Sequence, residues 1–459
     1  MKRNSFFISA LSLFGVAVIT GIMFGQTPAP APGTAAATPA AAPRQGPGVQ
    51  AAQDARYRDF VNAQCKNPPP QRGGGAARGA GGGAGAAAGQ NAPAAAGGAG
   101  GAAAAGNAAV GAAGARAGAG GGGPRGPLNH IDYSVTAIAG VIAAGQKWQT
   151  VWTGRGNNAD GIIATEDGGI LAAQNTDSTV MKIDRNGNVT FPYRDTNTGG
   201  ALSMNKNGAL FVNERGLPSS VWQLAPERKL LANMYNGEPL DCLGGVINDL
   251  TADSKGGVYF TMSGLLYANA KGVVTKYGTI TGVNGIILSP DEKTLYVTGR
   301  LGGAGGGAGA GGGAAAAGAG GGGAAGAAGG GAAGGVGGGA GGGGGFTCTP
   351  GSAPRGSIIA YDVQPDGALT NERQFANAGN DGSTIDAEGR VYTSACPWIA
   401  VIAPDGKLLG TIPVPTDDII SLAFSGPDKK TLYGVANNQQ YDEIFKIEMI
   451  AQGYKGRAK

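Results

Sequence analysis

Histidine is nearly missing from this chain. One residue, His130, is all there is among 459, and it stands at the edge of a low-complexity segment. That excludes Ser-His-Asp and Cys-His catalysis and zinc sites built on imidazole, since each needs a histidine in a folded site. Charge is also sparse: 14% of residues are charged, the net charge is +4, and no basic cluster with interleaved aromatics occurs. Nucleic acid is therefore not expected as a partner. Cysteine is rare and scattered. Cys65, Cys242, Cys348 and Cys396 form no CxxC pair, so a metal site through sulfur is not supported. In an oxidising compartment an even count points to disulfides, with three connectivities open and Cys348–Cys396 the preferred pair.

Glycine is present in excess, 91 residues, mostly in two blocks. Setting these aside leaves roughly 290 residues of ordinary composition, enough for one all-β domain. Residues 1–25 carry Lys2 and Arg3 followed by an apolar run to Phe24, which reads as an export signal, with an uncleaved membrane anchor as the alternative. No cysteine follows the run, so a lipid anchor is not supported. The rest of the protein is then expected in the periplasm or outside the cell. Residues 26–130 are rich in Pro, Ala and Gly and cannot build a core, so they read as a disordered tether. A spacer of about 100 residues has a root-mean-square reach on the order of 50–60 Å. Within it, the stretch from Ala55 to Cys65 reads as a short helical turn or docking patch, or as plain spacer.

From residue 131 onward one pattern recurs. Val283 to Gly299, VNGIILSPDEKTLYVTG, is an apolar strand, a polar turn and an alternating strand, and kindred copies start near Asp160, Gly199, Ile247, Asp381 and Ile419. Such a hairpin cannot bury its apolar face alone, so it needs neighbours of its own kind. A second hairpin follows each of the first five copies, and the sixth is truncated. Two hairpins make a four-stranded blade, and the expectation for 131–459 is a six-bladed β-propeller. The last copy lacks its outer strand, and the alternating stretch Lys147 to Trp152 is placed to supply it and close the ring. The second glycine block, 301–345, doubles one repeat interval and reads as a loop insertion overhanging the channel mouth.

In a propeller the residue ahead of each inner strand sits at the mouth of the central channel. Asp160, Asn248, Asn284 and Asp381 occupy that position, and their hard oxygens suit a divalent cation, Ca²⁺ first, with Mg²⁺, Mn²⁺ or Zn²⁺ as alternatives. The bland alternative is that Asp-Gly and Asn-Gly only make turns between blades. Arg155 and Arg300 lie near the same face, either to meet substrate or as ordinary surface charges.

Leu231 to Thr261, together with VNGIILSPDEKTLYV, DGSTIDAEGRVYTS and the run PDGKLLGTIPVP before AFSGPDKKTLY, resembles the gluconolactonase-like family that includes regucalcin (senescence marker protein). The resemblance implies a six-bladed propeller with one divalent cation that hydrolyses a sugar lactone or related ester. It places Asn284 and Asp381 as metal ligands, Asp381 also as the acid-base carboxylate, and Asn248 as a metal or substrate ligand. Asp160 falls where the family usually has Glu, one methylene longer, and Glu214, at the end of a second strand, matches a frequent family Glu, either a substrate contact or a solvated rim charge. The partner implied is a small-molecule lactone or ester, bound by a monomer. The competing expectations are a non-catalytic exported propeller that binds a sugar or protein, and a phosphotriesterase.

Overall fold

The structure is a computed structural model that describes residues 48–70, 126–302, 356–395, 398–416 and 419–458. Six four-stranded antiparallel sheets follow one another along the chain. The first blade comprises Ile162–Ala164, Ile170–Gln174, Thr179–Ile183 and Val189–Arg194, and the second Gly199–Met204, Leu210–Glu214, Ser220–Ala225 and Lys229–Ala232. The third is Leu250–Ala252, Val258–Thr261, Leu265–Ala268 and Val274–Tyr277; the fourth is Ile286–Leu288, Thr294–Gly299, Ser357–Val363 and Leu369–Ala376. Ser383–Ile385, Val391–Ser394, Trp398–Ile402 and Leu408–Pro413 form the fifth. In the sixth, Ser421–Ser425, Thr431–Asn437 and Tyr441–Glu448 are completed by Gln149–Arg155, which pairs antiparallel with Tyr441–Glu448 on the outer edge. The expected ring closure is therefore present, and it leaves the last blade without a missing strand.

The strands form because both faces of each sheet are covered by neighbouring blades. Six buried apolar clusters fill the six interfaces, and the one joining Ile162, Ile170 and Met181 to Ala423, Val435 and Ile444 seals the first blade against the sixth. Each buried aliphatic side chain there contributes about 1.5–3 kcal/mol. The first turn of several blades repeats one local device. Asn205 Oδ1 accepts the amides of Asn207 and Ala209, and Asp253 Oδ1 accepts those of Lys255 and Gly257. Gly208 and Gly256 supply the positive φ that closes these turns.

The glycine block sits between two paired strands of the fourth blade, with Gly299 opposite Ser357. It is thus an insertion within a blade; the overhang of the channel mouth expected for 301–345 lies beyond Gly302, outside the described residues. The apolar segment 1–25, Cys348 and Cys396 also lie outside them, as does the pairing expected for those cysteines. Among the described residues no helix is long and apolar enough to cross a membrane.

The tether expectation needs correction in its middle. Residues 48–70 are packed onto the propeller. The helix Tyr57–Gln64 buries Val61 completely, and Cys65 is disulfide-bonded to Cys242 in the connection before the third blade. Ala51 N–H donates to Arg215 O at 2.7 Å, and Tyr57 Oη donates to Asp241 O at 3.2 Å. A few apolar residues and one cross-link are enough to dock a short strap whose flanks are low in apolar content.

Candidate functional site

Asp160, Asn248, Asn284 and Asp381 each stand two residues ahead of an inner strand. Together they line a single cavity at the channel mouth, with Arg215, Asp249 and Ser421. Residues remote in sequence thus meet because the ring brings six strand starts to one axis. A repeated clamp fixes them there. The second strand of one blade ends in a polar side chain that holds the carbonyl at the mouth of the next. Asn213 Nδ2 donates to Asn248 O at 2.6 Å, Thr261 Oγ1 to Asn284 O at 2.8 Å, and Thr298 Oγ1 to Asp381 O at 3.3 Å. Asn437 Nδ2 does the same for Ala159 O at 2.9 Å, across the closure. The Asp381 amide also donates to Ser394 Oγ at 2.8 Å.

The glycines after these polar residues are not turn formers. Gly161, Gly285 and Gly382 have no positive φ, but a Cβ on Gly161 would sit 2.6 Å from Ala201 Cα, and one on Gly285 would strike Asp381 O. Asp-Gly and Asn-Gly are needed here because adjacent backbones crowd the axis.

Arg215 is the feature the sequence reading missed. It follows the second strand of the second blade, whose inner strand starts with Gly199 and Gly200 where four other blades have Asp or Asn ahead of theirs. A register shift between Gly199 and Leu202 bends that strand, and the guanidinium lies over Gly200, in the space that a Cβ would fill. Nη1 meets Asp160 Oδ2 at 2.5 Å and Asn175 Oδ1 at 3.1 Å. Nη2 meets Asn248 O at 2.7 Å and Asn248 Oδ1 at 3.0 Å, and Nε reaches Ile247 O at 3.1 Å. All five N–H groups of the side chain therefore have an acceptor. A blade that opens on Gly-Gly and carries an arginine at the end of its next strand was the available signal.

The remaining candidates lie elsewhere. Glu214 does not line the cavity; it is buried and pairs with Arg228 at 3.0 Å, while its neighbour Arg215 faces the axis. Alternation along a strand sends adjacent side chains to opposite faces. Arg155 lies over the Tyr441 ring at 5.1 Å, and neither it nor Arg300 lines the cavity. Behind the mouth, buried Asp442 accepts the Asn158 amide at 2.8 Å through Oδ2, while Oδ1 has no hydrogen-bond partner among the described residues. Burial, then the charges of Asp160 and Asp177, push this carboxyl up to about 7.

The four oxygen-bearing residues have the right chemistry for a hard cation, but their arrangement does not fit one. Asp160 Oδ2 is held by Arg215 and by Asn175 Nδ2 at 2.9 Å, and Asn248 Oδ1 by Arg215. Asn284 Oδ1 accepts Asn248 Nδ2 at 2.5 Å. An ion with six to eight oxygen ligands would have to displace these bonds and stand beside a guanidinium.

Residues 352–436 match the family described as SMP-30/Gluconolactonase/LRE-like region. A pentonolactonase of Haloferax volcanii is 33% identical over 81 residues, 16% of this chain and 28% of that protein, so the match spans less than a third of the relative's length. Among solved structures, a gluconolactonase of Xanthomonas campestris is similar with a TM-score of 0.49 and 18% identity, covering 71% of this chain and 98% of that one. The calcium-binding protein regucalcin of Agrobacterium tumefaciens gives a TM-score of 0.45 and 16% identity, covering 68% of this chain and 98% of that one. With six blades closed into a ring and a matching segment from 352 to 436, the chain resembles the gluconolactonase and regucalcin family that its sequence pointed to.

Proposed function

We propose that this protein hydrolyses a sugar lactone or a related ester at the channel mouth. The observation that carries the reading is the meeting of Asp381 with Asn248, Asn284 and Asp160 in one cavity on the axis. The local likeness to a pentonolactonase supports it. In this reaction the Asp381 carboxylate takes a proton from water as the water oxygen bonds to the carbonyl carbon. The ring C–O bond then breaks, and the same proton passes to the leaving oxygen, giving a hydroxy acid. Because the Asn284 oxygen is taken by Asn248, the Asn284 amide has N–H to offer the developing oxyanion. Arg215, with every N–H committed, holds Asn248 in place and balances Asp160. A carboxylate is a weak base, so the substrate is an activated ester such as a lactone.

We also place this activity outside the cytoplasm, since Lys2, Arg3 and the apolar run to Phe24 read as an export signal and a Cys65–Cys242 disulfide persists in an oxidising compartment. The committed Arg215 favours one second reading, a non-catalytic propeller that binds a sugar. A lactone panel followed by pH-stat separates the two. Wild type is expected to turn over at least one lactone, and Asp381→Asn to lose about 10²- to 10⁴-fold in kcat with an unchanged Tm. A folded wild type inert on every lactone and ester would leave the binding reading.

A further inference from the structure

We propose that Arg215 is the resident cation of this site and stands in place of a divalent ion. The inference concerns the same cavity as the proposed hydrolysis, but it does not depend on the reaction. Four observations converge on it. The guanidinium reaches Asp160 and Asn248, two of the four residues whose oxygens suit a cation, at 2.5 and 3.0 Å. It is buried, with its side chain 6% exposed, and no N–H is left over for a mobile role.

Room has been made for it, because Gly200 is the only residue type whose backbone can lie against the guanidinium at that distance. Its backbone is fixed as well: the Arg215 amide donates to Thr198 O at 3.2 Å, and Arg215 O accepts the Ala51 amide of the docked strap at 2.7 Å. A side chain held by three blades and a strap is an integral part of the site. Chemically, a guanidinium supplies one positive charge with fixed directions, where a dication supplies two with open coordination positions. It neutralises Asp160 and orients the Asn248–Asn284 amide pair, but it cannot coordinate a carbonyl oxygen.

Removing the guanidinium vacates the space among Asp160, Asn248 and Asn284 for a hard cation. The test is thermal unfolding of the full chain in chelator and in millimolar CaCl2, MgCl2 or MnCl2, which reads binding without any turnover. Wild type is expected to show the same Tm in all four. Arg215→Ala is expected to unfold earlier in chelator and to regain on the order of 5 °C with one of the cations. That gain should vanish when Asp160→Asn is added. A wild-type Tm that rises with Ca²⁺, and no longer does in Asp160→Asn, overturns the proposal. So does a folded Arg215→Ala that takes no cation. Should Arg215→Ala not fold, Arg215→Gln is read in the same way, and the wild-type arm decides alone if neither folds. Failure of lactone turnover would leave these outcomes untouched.

Discussion

Buried arginines lie at both ends of the channel, and two of them, Arg215 at the mouth and Arg457 at the other end, are built differently. At the mouth, Arg215 has an acceptor for every N–H and a carboxylate at 2.5 Å. At the other end, residues 449–458 lie across the far ends of the inner strands: Ala458 pairs with Met204, and Gly453 with Asp386. There Arg457 donates through Nη2 to the carbonyls of Leu288 and Ser289, but Nη1 has no hydrogen bond and stands 3.8 Å from Glu292. Burial lowers this guanidinium to about 10, with Glu292 nearby opposing the shift. The same residue type thus does two jobs. One arginine completes a polar network of three blades, and the other anchors a segment that closes the far end at a desolvation cost. The difference teaches that burial alone says little about what an arginine does; its acceptors, and whether a carboxylate is among them, say more.

The comparison breaks if the two arginines prove energetically alike. Arg215→Met leaves Asp160 partly buried without its charge partner and is expected to cost about 3–5 kcal/mol in denaturant unfolding. Arg457→Met replaces an incompletely bonded charge with an apolar chain of similar length and is expected to cost about 1 kcal/mol or less. Equal losses would mean that the acceptor count does not matter.

The strap sharpens the contrast, because it reaches the mouth and not the far end. Paired Cys65→Ser and Cys242→Ser changes, which open a link across 177 residues, are expected to cost about 2–4 kcal/mol. Native-state hydrogen exchange should then accelerate at the Ala51 amide, which bonds Arg215 O, while the Met204 and Ala458 amides keep their protection. Uniform acceleration would make the strap a global clamp instead of a local one.

A further effect concerns pH. Asp442 has a folded value of about 7 against 3.8 for the free group, so the folded state holds the extra proton between those values. Its contribution to stability therefore falls as pH rises from about 4 to about 7 and stays lost above that. Asp442→Asn is expected to flatten this slope and to raise stability at pH 8 by about 2 kcal/mol, read from urea midpoints across pH. A slope unchanged in the variant would assign the pH dependence to other carboxylates.

The repeats were legible because a hairpin with one apolar face states its own need for neighbours. The closing strand was legible because the last copy is one strand short and the stretch around Trp148 alternates. The mouth residues were legible for the same reason: a residue ahead of an inner strand has one place to go. Arg215 was not, since nothing local in Asn213-Glu214-Arg215 says which of the two charges faces the axis. The bend at Gly199 to Leu202 and the bare backbone of Gly200 decide that. The strap was half legible: Ala55 to Cys65 read as a helical turn or docking patch as readily as spacer, but its anchor, Cys242, lies far along the chain.

Composition and periodicity by themselves determined a six-bladed ring, its closure and the four oxygen-bearing residues that meet on its axis. Tertiary structure alone decided that Arg215 bonds the Asp160 and Asn248 oxygens, which cysteine Cys65 joins, and that the low-complexity arm is partly docked. The physical reason is range. Strand pattern and turn chemistry act between residues close in sequence, whereas the guanidinium of Arg215 gains its acceptors from the two blades that flank its own, and only the ring brings those blades together.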